Sequence, residues 1–272
     1  SVSSMRLTYV TNNASRSSQA VAAHLCELGL QVLAADVVTS AQAGAAVLAT
    51  LVPRGSRVFV LGSRDLMREV DAVGLVASQD VGQQQYGLIQ GYWPDMPWRM
   101  LGQAAGVLHQ GVAWVATNMD LTFPTEWGSA PGNGSMVNAL ATAVGRRPDA
   151  VAGKPETPLM RASIARAGSQ RPLVVGDRLD TDILGAHKVG VDSLLVLSGV
   201  TSVADLLVAS PELRPTYLSW DASGLLDAHP AVQVEGGRVT LNDWYADKGR
   251  LMGTGDVLDA IRVAAVAVWQ GV

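Results

Sequence analysis

A chain of 272 residues, 48% apolar and 16% charged, holds enough material for one large core or two modest ones. Its formal net charge of −4 argues against a general nucleic-acid surface, which needs a basic patch. No apolar run approaches the ~20 residues of a membrane span, and Ser1–Val10 lacks the basic start, apolar middle and cleavage site of a leader peptide, so a soluble cytoplasmic protein is expected.

The first predicted strand is Arg6–Val10, followed by the polar turn Thr11-Asn12-Asn13-Ala14-Ser15 and an amphipathic helix ending at Gly29. The lone Cys26 falls in that helix with Val21, Leu25 and Leu28 and is read as a small core residue. A second helix spans about Ala41 to Leu51. Strands follow at Arg57–Leu61, Tyr86–Gln90 and Val112–Ala116, with a helix after Pro97 through Leu101, Ala104 and Leu108. Pro131–Ser135 opens a helix through Val144, and Gly145–Pro148 reads as a boundary. A new unit starts at Ala152-Gly153-Lys154-Pro155, runs through a helix to Ala165, and enters the buried strand Leu173-Val174-Val175-Gly176. Strand Ser193–Leu197 comes next. The rest is less regular: a helix at Val203–Ala209, a short strand at Thr216–Leu218 and a final amphipathic helix at Val257–Val268. Strands alternating with helices predict an α/β chain with parallel sheets.

Chemistry concentrates at strand ends. After Gly176 come Asp177, Asp180 and Asp182, three carboxylates within six residues that would repel one another unless a cation sat among them, and Mg²⁺ suits oxygen ligands. A plainer reading makes Asp180 a helix cap, with Asp177 and Asp182 solvated. Thr11 and Lys154 each follow a strand or open a helix, and a hydroxyl and an ammonium can both hold phosphoryl oxygens. His24, His109, His187 and His229 show no ligand spacing and read as packing or surface residues.

The stretches Val10-Thr11-Asn12-Asn13-Ala14-Ser15, Gly153-Lys154-Pro155 and Val175-Gly176-Asp177-Arg178-Leu179-Asp180-Thr181-Asp182 resemble the second, third and fourth motifs of the haloacid-dehalogenase-like (HAD) phosphatases. Ala116–Asp120 and Pro131–Ser135 resemble the subgroup with a large α/β cap between the second and third motifs. The nearest likeness is to actinobacterial glycerol-3-phosphate phosphatases. The resemblance implies a Rossmann-like core with a parallel sheet from residues 1–38 and 151–272, and an inserted cap from 39–150. It implies that Thr11, with the backbone of Asn12 and Asn13, holds the phosphoryl group, and that Lys154 neutralises nucleophile and phosphate. Asp177 then ligates Mg²⁺, and Asp182 supports that site or orients Lys154. Asn118 and Asp120 face the substrate or cap their loop, and mutating them is expected to re-rank substrates; failing that, specificity lies around Tyr92–Trp98. The substrate is a small phosphorylated metabolite, glycerol 3-phosphate first and phosphoglycolate second, with no nucleic-acid or membrane partner and a homodimer formed through the cap.

One family element is missing from these residues. The first motif, a buried strand ending in Asp-x-Asp, supplies the nucleophile and the acid/base in the resembling family, and its strand lies between those carrying Thr11 and Asp177. The only Asp-x-Asp here is Asp180-Thr181-Asp182, and the C-terminus offers no displaced copy. The expectation is a truncated record of an active enzyme. The rival is a non-catalytic pseudophosphatase that binds phosphate or metal. A receiver-type signalling domain is set aside because it lacks a ~110-residue insertion and the Gly-Asp-x(4)-Asp turn.

Overall fold

The computed structural model describes residues 5–272, so residues 1–4 of the segment read for a leader lie outside the described residues. Among the described residues no helix is long and apolar enough to cross a membrane. The chain divides into two compact units, Arg6–Ser169 and Gln170–Val272, which are described separately.

The first unit opens on β1 (Tyr9–Thr11), α1 (Ser18–Glu27) and β2 (Val37–Thr39), and β1 and β2 form a parallel pair. Tyr9 packs beside Ala22 and Leu25 of α1, while Val10 packs beside Leu159 and Ala162. Cys26 is exposed rather than a core residue, because α1 buries only Ser18 and Ala22. The observed first strand is shorter than the predicted Arg6–Val10 and ends one residue later.

Next come α2 (Ser40–Leu51), β3 (Arg57–Leu61), α3 (Arg64–Ala72), β4 (Val76–Ser78), β5 (Gly87–Gln90), α4 (Trp98–Leu108) and β6 (Ala113–Ala116). A hairpin of β7 (Thr122–Thr125) and β8 (Gly128–Pro131) precedes α5 (Asn133–Val144), β9 (Ala150–Val151) and α6 (Thr157–Ala167). Five of these strands make a parallel sheet in the order β4-β3-β5-β6-β9. The strand period of two sorts their side chains. Val58, Val60, Ile89 and Val115 meet Leu48 of α2 and Leu66 and Val70 of α3 on one face. On the other face Phe59, Leu61, Leu88 and Trp114 meet Leu101 and Ala104 of α4 and Val137 and Leu140 of α5. Parallel sheets covered on both faces read as continuous apolar runs, and 58–61 (Val-Phe-Val-Leu) is such a run.

The second unit starts with β10 (Leu173–Gly176), a π-helical turn over Leu179–Ile183, α7 (Leu184–Val189) and β11 (Asp192–Val196). It continues through α8 (Val203–Leu207) and β12 (Tyr217–Ser219), and β10-β11-β12 form a parallel sheet. The region read as less regular is an antiparallel meander of β13 (Gln233–Glu235), β14 (Arg238–Leu241), β15 (Trp244–Asp247) and β16 (Arg250–Met252). The final helix α9 (Val257–Gln270) serves two cores. Leu258, Ile261 and Ala265 pack with Leu195 and Leu218, and Val263 and Ala267 pack with Val239, Leu241 and Ala246. A buried ion pair fixes its start: Arg262 meets Asp259 at 2.7 Å, and Asn242 donates to the other Asp259 oxygen at 2.7 Å.

Candidate active site

In the first unit the predicted residues Thr11, Asn12, Asn13, Asn118, Asp120 and Lys154 come together at the C-terminal ends of β1 and β6 and the start of α6. Ligands gather at such strand ends in open α/β sheets. Thr11 Oγ1 accepts the Asn13 N–H at 3.1 Å, which leaves the hydroxyl proton to donate outward. That bond spends the Asn13 amide, which the sequence reading aimed at a phosphoryl group. Asn13 Oδ1 instead folds its own turn, accepting from the Ser15 N–H at 2.7 Å and its hydroxyl at 2.9 Å.

Asn118 is 3% exposed, and both ends of its amide are spent on backbone groups. Its Nδ2 donates to the Asn12 carbonyl at 2.7 Å, and its Oδ1 accepts from the Asp120 N–H at 3.1 Å. Asp120 receives the Asn12 amide on both carboxylate oxygens. The glycines at the start of α5 are likewise committed to the loop. Gly132 N–H donates to the Leu121 carbonyl at 2.8 Å and Gly134 N–H to the Asp120 carbonyl at 2.9 Å. A Cβ at Gly134 would lie 2.2 Å from the Met119 carbonyl oxygen, so only glycine admits this approach.

Beside these residues lies a cavity of about 450 Å³, lined by Asn12, Asn13, Arg16, Tyr92, Asp120 and Phe123 among others. Tyr92 and Phe123 meet edge to face at 4.8 Å. The sequence reading passed over Arg16 and Phe123. Arg16 sits one residue past the quoted motif, and Phe123 hides in a hairpin strand that Pro124 disguises.

In the second unit Asp177 ends β10, and the loop after β11 closes against it. Val200 N–H donates to Asp177 Oδ2 at 2.9 Å, and Thr201 N–H to the Asp177 carbonyl at 3.1 Å. A Cβ at Gly199 would lie 2.1 Å from Asp177 Oδ2, so this glycine lets the backbone reach the carboxylate. Sequence reasoning missed Gly199 and Val200, although a glycine two residues past a strand was a signal available to it.

Part of the repulsion among the three aspartates is offset by a side chain of the turn itself, Arg178. Exposed Asp180 forms a two-point ion pair with Arg178, at 2.7 and 3.0 Å. It caps no helix. Asp182, 6% exposed, reaches back to the Arg178 N–H at 3.2 Å, and its carboxyl carbon fills the space where a Gly176 Cβ would stand. The π-helical turn, with both Asp182 N–H and Ile183 N–H bonded to the Arg178 carbonyl, sets Asp182 in that place. Such turns recur at functional sites.

Among the described residues no three His, Cys, Asp or Glu side chains form a metal-binding group. Asp177 Oδ1 makes no hydrogen bond among the described residues. One free hard oxygen fits Mg²⁺, which binds through one or two carboxylates with substrate phosphate and water completing its shell.

Residues 2–76 match the family described as haloacid dehalogenase-like hydrolase, and residues 151–224 the one described as HAD-hydrolase-like. The chain is 46% identical to a D-glycerol 3-phosphate phosphatase of Mycobacterium tuberculosis over 97% of its own length and 77% of that protein's. It is 31% identical to an acid sugar phosphatase of Staphylococcus saprophyticus, over 80% of this chain and 83% of the relative. Among solved structures, a glycerol phosphate phosphatase from M. tuberculosis in complex with magnesium superposes with a TM-score of 0.85 at 44% identity, covering 97% of this chain and 81% of that one. A p-nitrophenyl phosphatase from Archaeoglobus fulgidus follows at TM-score 0.70 and 30% identity, over 78% and 82% of the two chains.

Proposed function

This chain belongs to the haloacid dehalogenase-like hydrolases, and we propose that it is the body of a Mg²⁺-dependent phosphatase of small phosphomonoesters, with glycerol 3-phosphate the first substrate and phosphoglycolate the second. The observation that carries the reading is the Thr11–Asn13 loop, bonded to the Lys154 loop beside a cavity of metabolite size. Thr11 donates its hydroxyl proton to a phosphoryl oxygen, and Lys154 supplies positive charge to the same group. Asp177 would hold Mg²⁺, whose chemistry is to neutralise phosphate charge, and Asp182 buttresses the turn that carries Asp177. The relatives' names support hydrolysis rather than a pseudophosphatase. The test is phosphate release with Mg²⁺ from the chain extended at its start by a strand ending in Asp-x-Asp-Gly. Thr11→Val and Lys154→Ala should lose every substrate alike, and hydrolysis unaffected by either would overturn the reading.

Residues 39–150 act in this proposal as the cap that selects substrate, supported by their own five-stranded sheet with a core on each face. Because Asn118 and Asp120 are bound into their loop, substrate ranking is assigned to Arg16 and Tyr92. Arg16 has no hydrogen-bond or ion-pair partner among the described residues. Its guanidinium favours a carboxylate at the far end of the substrate over a neutral diol. Arg16→Gln should therefore lower kcat/KM for phosphoglycolate about tenfold more than for glycerol 3-phosphate. An equal change for the two would remove Arg16 from selection.

Pairing of two copies through residues 39–150 and a cytoplasmic setting complete the proposal. Trp98 and Trp127, 83% and 87% exposed in this segment, support the first, and the unbridged Cys26 supports the second. Sedimentation should give a dimer that Trp127→Ser weakens. A monomeric parent would end the pairing idea.

A further inference from the structure

We propose that the side-chain amide of Asn12 is a positioning residue that sets the Lys154 backbone and the Asp120 carboxylate against each other. The inference rests on the phosphatase reading of Lys154 and deepens it. Asn12 Oδ1 accepts the Lys154 N–H at 2.8 Å, while Nδ2 donates to the Lys154 carbonyl at 3.0 Å. One side chain thus grips both polar groups of a single residue's backbone, as a paired strand residue does. Nδ2 also faces Asp120 Oδ1 and Oδ2 at 3.1 and 3.2 Å. The three residues come from loops 108 and 142 positions apart in the chain.

Two further features keep this junction tight. The Asn12 backbone is pinned through its carbonyl, which accepts from Asn118 Nδ2 at 2.7 Å and from the Ser40 hydroxyl. A Cβ at buried Gly153 would stand 2.6 Å from Asn12 Oδ1 and 2.6 Å from the Thr117 carbonyl oxygen, so glycine keeps the Lys154 loop within reach. The amide is matched to its task. Only a group carrying an acceptor and donors together can satisfy Lys154 N–H, Lys154 C=O and a carboxylate at once. An aspartate in its place would keep the acceptor, lose both donors and stand against the Asp120 charge. Asn12 touches no reacting atom in this arrangement and acts through Lys154.

Amide hydrogen exchange at Lys154, followed by NMR in the extended chain, reads this role without any turnover. N12A should expose the Lys154 N–H and speed its exchange at least about tenfold, the worth of one hydrogen bond. N12D should lower kcat for all phosphomonoesters alike, at least about tenfold, and leave their ranking unchanged. N12D/D120N re-forms the 12–120 bond with donor and acceptor exchanged, and should recover part of that loss. Should N12A fold poorly, D120N serves in its place: it keeps the Asn12–Lys154 pair and should leave Lys154 exchange within about threefold of the parent. Unchanged Lys154 exchange in N12A, or a double variant no better than N12D, would overturn the proposal. Absence of hydrolysis in the parent would instead count against the phosphatase reading, while the exchange rates would still decide the role of Asn12.

Discussion

Replacing Asp177 by Asn should weaken Mg²⁺ binding by well over tenfold, measured by calorimetry on the extended chain and its variant. Losing one anionic ligand already removes a strong electrostatic contribution to a hard cation. The local geometry adds a second cost. Val200 N–H occupies Oδ2 at 2.9 Å, so the carboxylate works as two acceptors, one for the backbone and one facing outward. An amide has a single oxygen. If it serves Val200, an NH₂ group faces the metal; if it serves the metal, the Val200 N–H loses its acceptor. Asp180→Asn supplies the control. Its exposed carboxylate is already paired with Arg178, and surface pairs of that kind contribute about 1 kcal/mol or less. Mg²⁺ affinity should stay within about twofold there. Equal losses in both variants would mean that the cation senses only the net charge of the turn, and Asp177 would leave the metal site.

The strands and helices with strong periodicity were legible because burial on both faces of a parallel sheet leaves an unbroken apolar run. Residues 58–61 and 87–89 are such runs, and their helices carry matching stripes. The meander at 233–252 was not read, although its signal was present. Gly236-Gly237, Asn242-Asp243 and Lys248-Gly249 are each two residues between short strands, and all but Asp243 have positive φ, the mark of tight hairpin turns. Strands of three or four residues give periodicity too little length to register, so only the turn chemistry could have revealed them. At the candidate site, residue types pointed to loops that meet in the structure but not to what each atom does. Asn12, Asn13 and Asn118 attract attention as polar groups near a phosphate, yet their amides hold loops together. For Asn12 and Asn118 the decisive contacts lie more than a hundred residues apart, and no local spacing encodes those.

The largest effect is expected from a pair of carboxylates that residues 1–272 do not contain. A polypeptide limited to residues 1–272 should release no phosphate from glycerol 3-phosphate at any Mg²⁺ concentration, a loss on the order of a million-fold against the extended chain. The roles proposed for Thr11 and Lys154, and for a metal at Asp177, are to stabilise charge; none of them attacks phosphorus in line or protonates a leaving oxygen. The one Asp-x-Asp cannot substitute, since Asp180 is paired with Arg178 and Asp182 is buried against Gly176. Folding should suffer as well. Among the described residues β1 and β10 each have a hydrogen-bonded neighbour on one side only, and no residue of either is fully buried, whereas β2 is buried throughout and β11 in four of its five residues. In an α/β sheet such half-covered apolar strands are the ones that want a further partner, because unpaired backbone groups and apolar side chains there stay in water. An added segment of alternating or continuous apolar residues ending in Asp-x-Asp-Gly supplies both the missing pairing and the missing carboxylates. It should sharpen the unfolding transition in denaturant and restore hydrolysis together. Recovery of cooperative unfolding without hydrolysis would separate the strand's structural part from its chemical one. Steady turnover by residues 1–272 that disappears in Asp177→Asn would show that the attacking group already lies within these residues and remove the need for any added carboxylate.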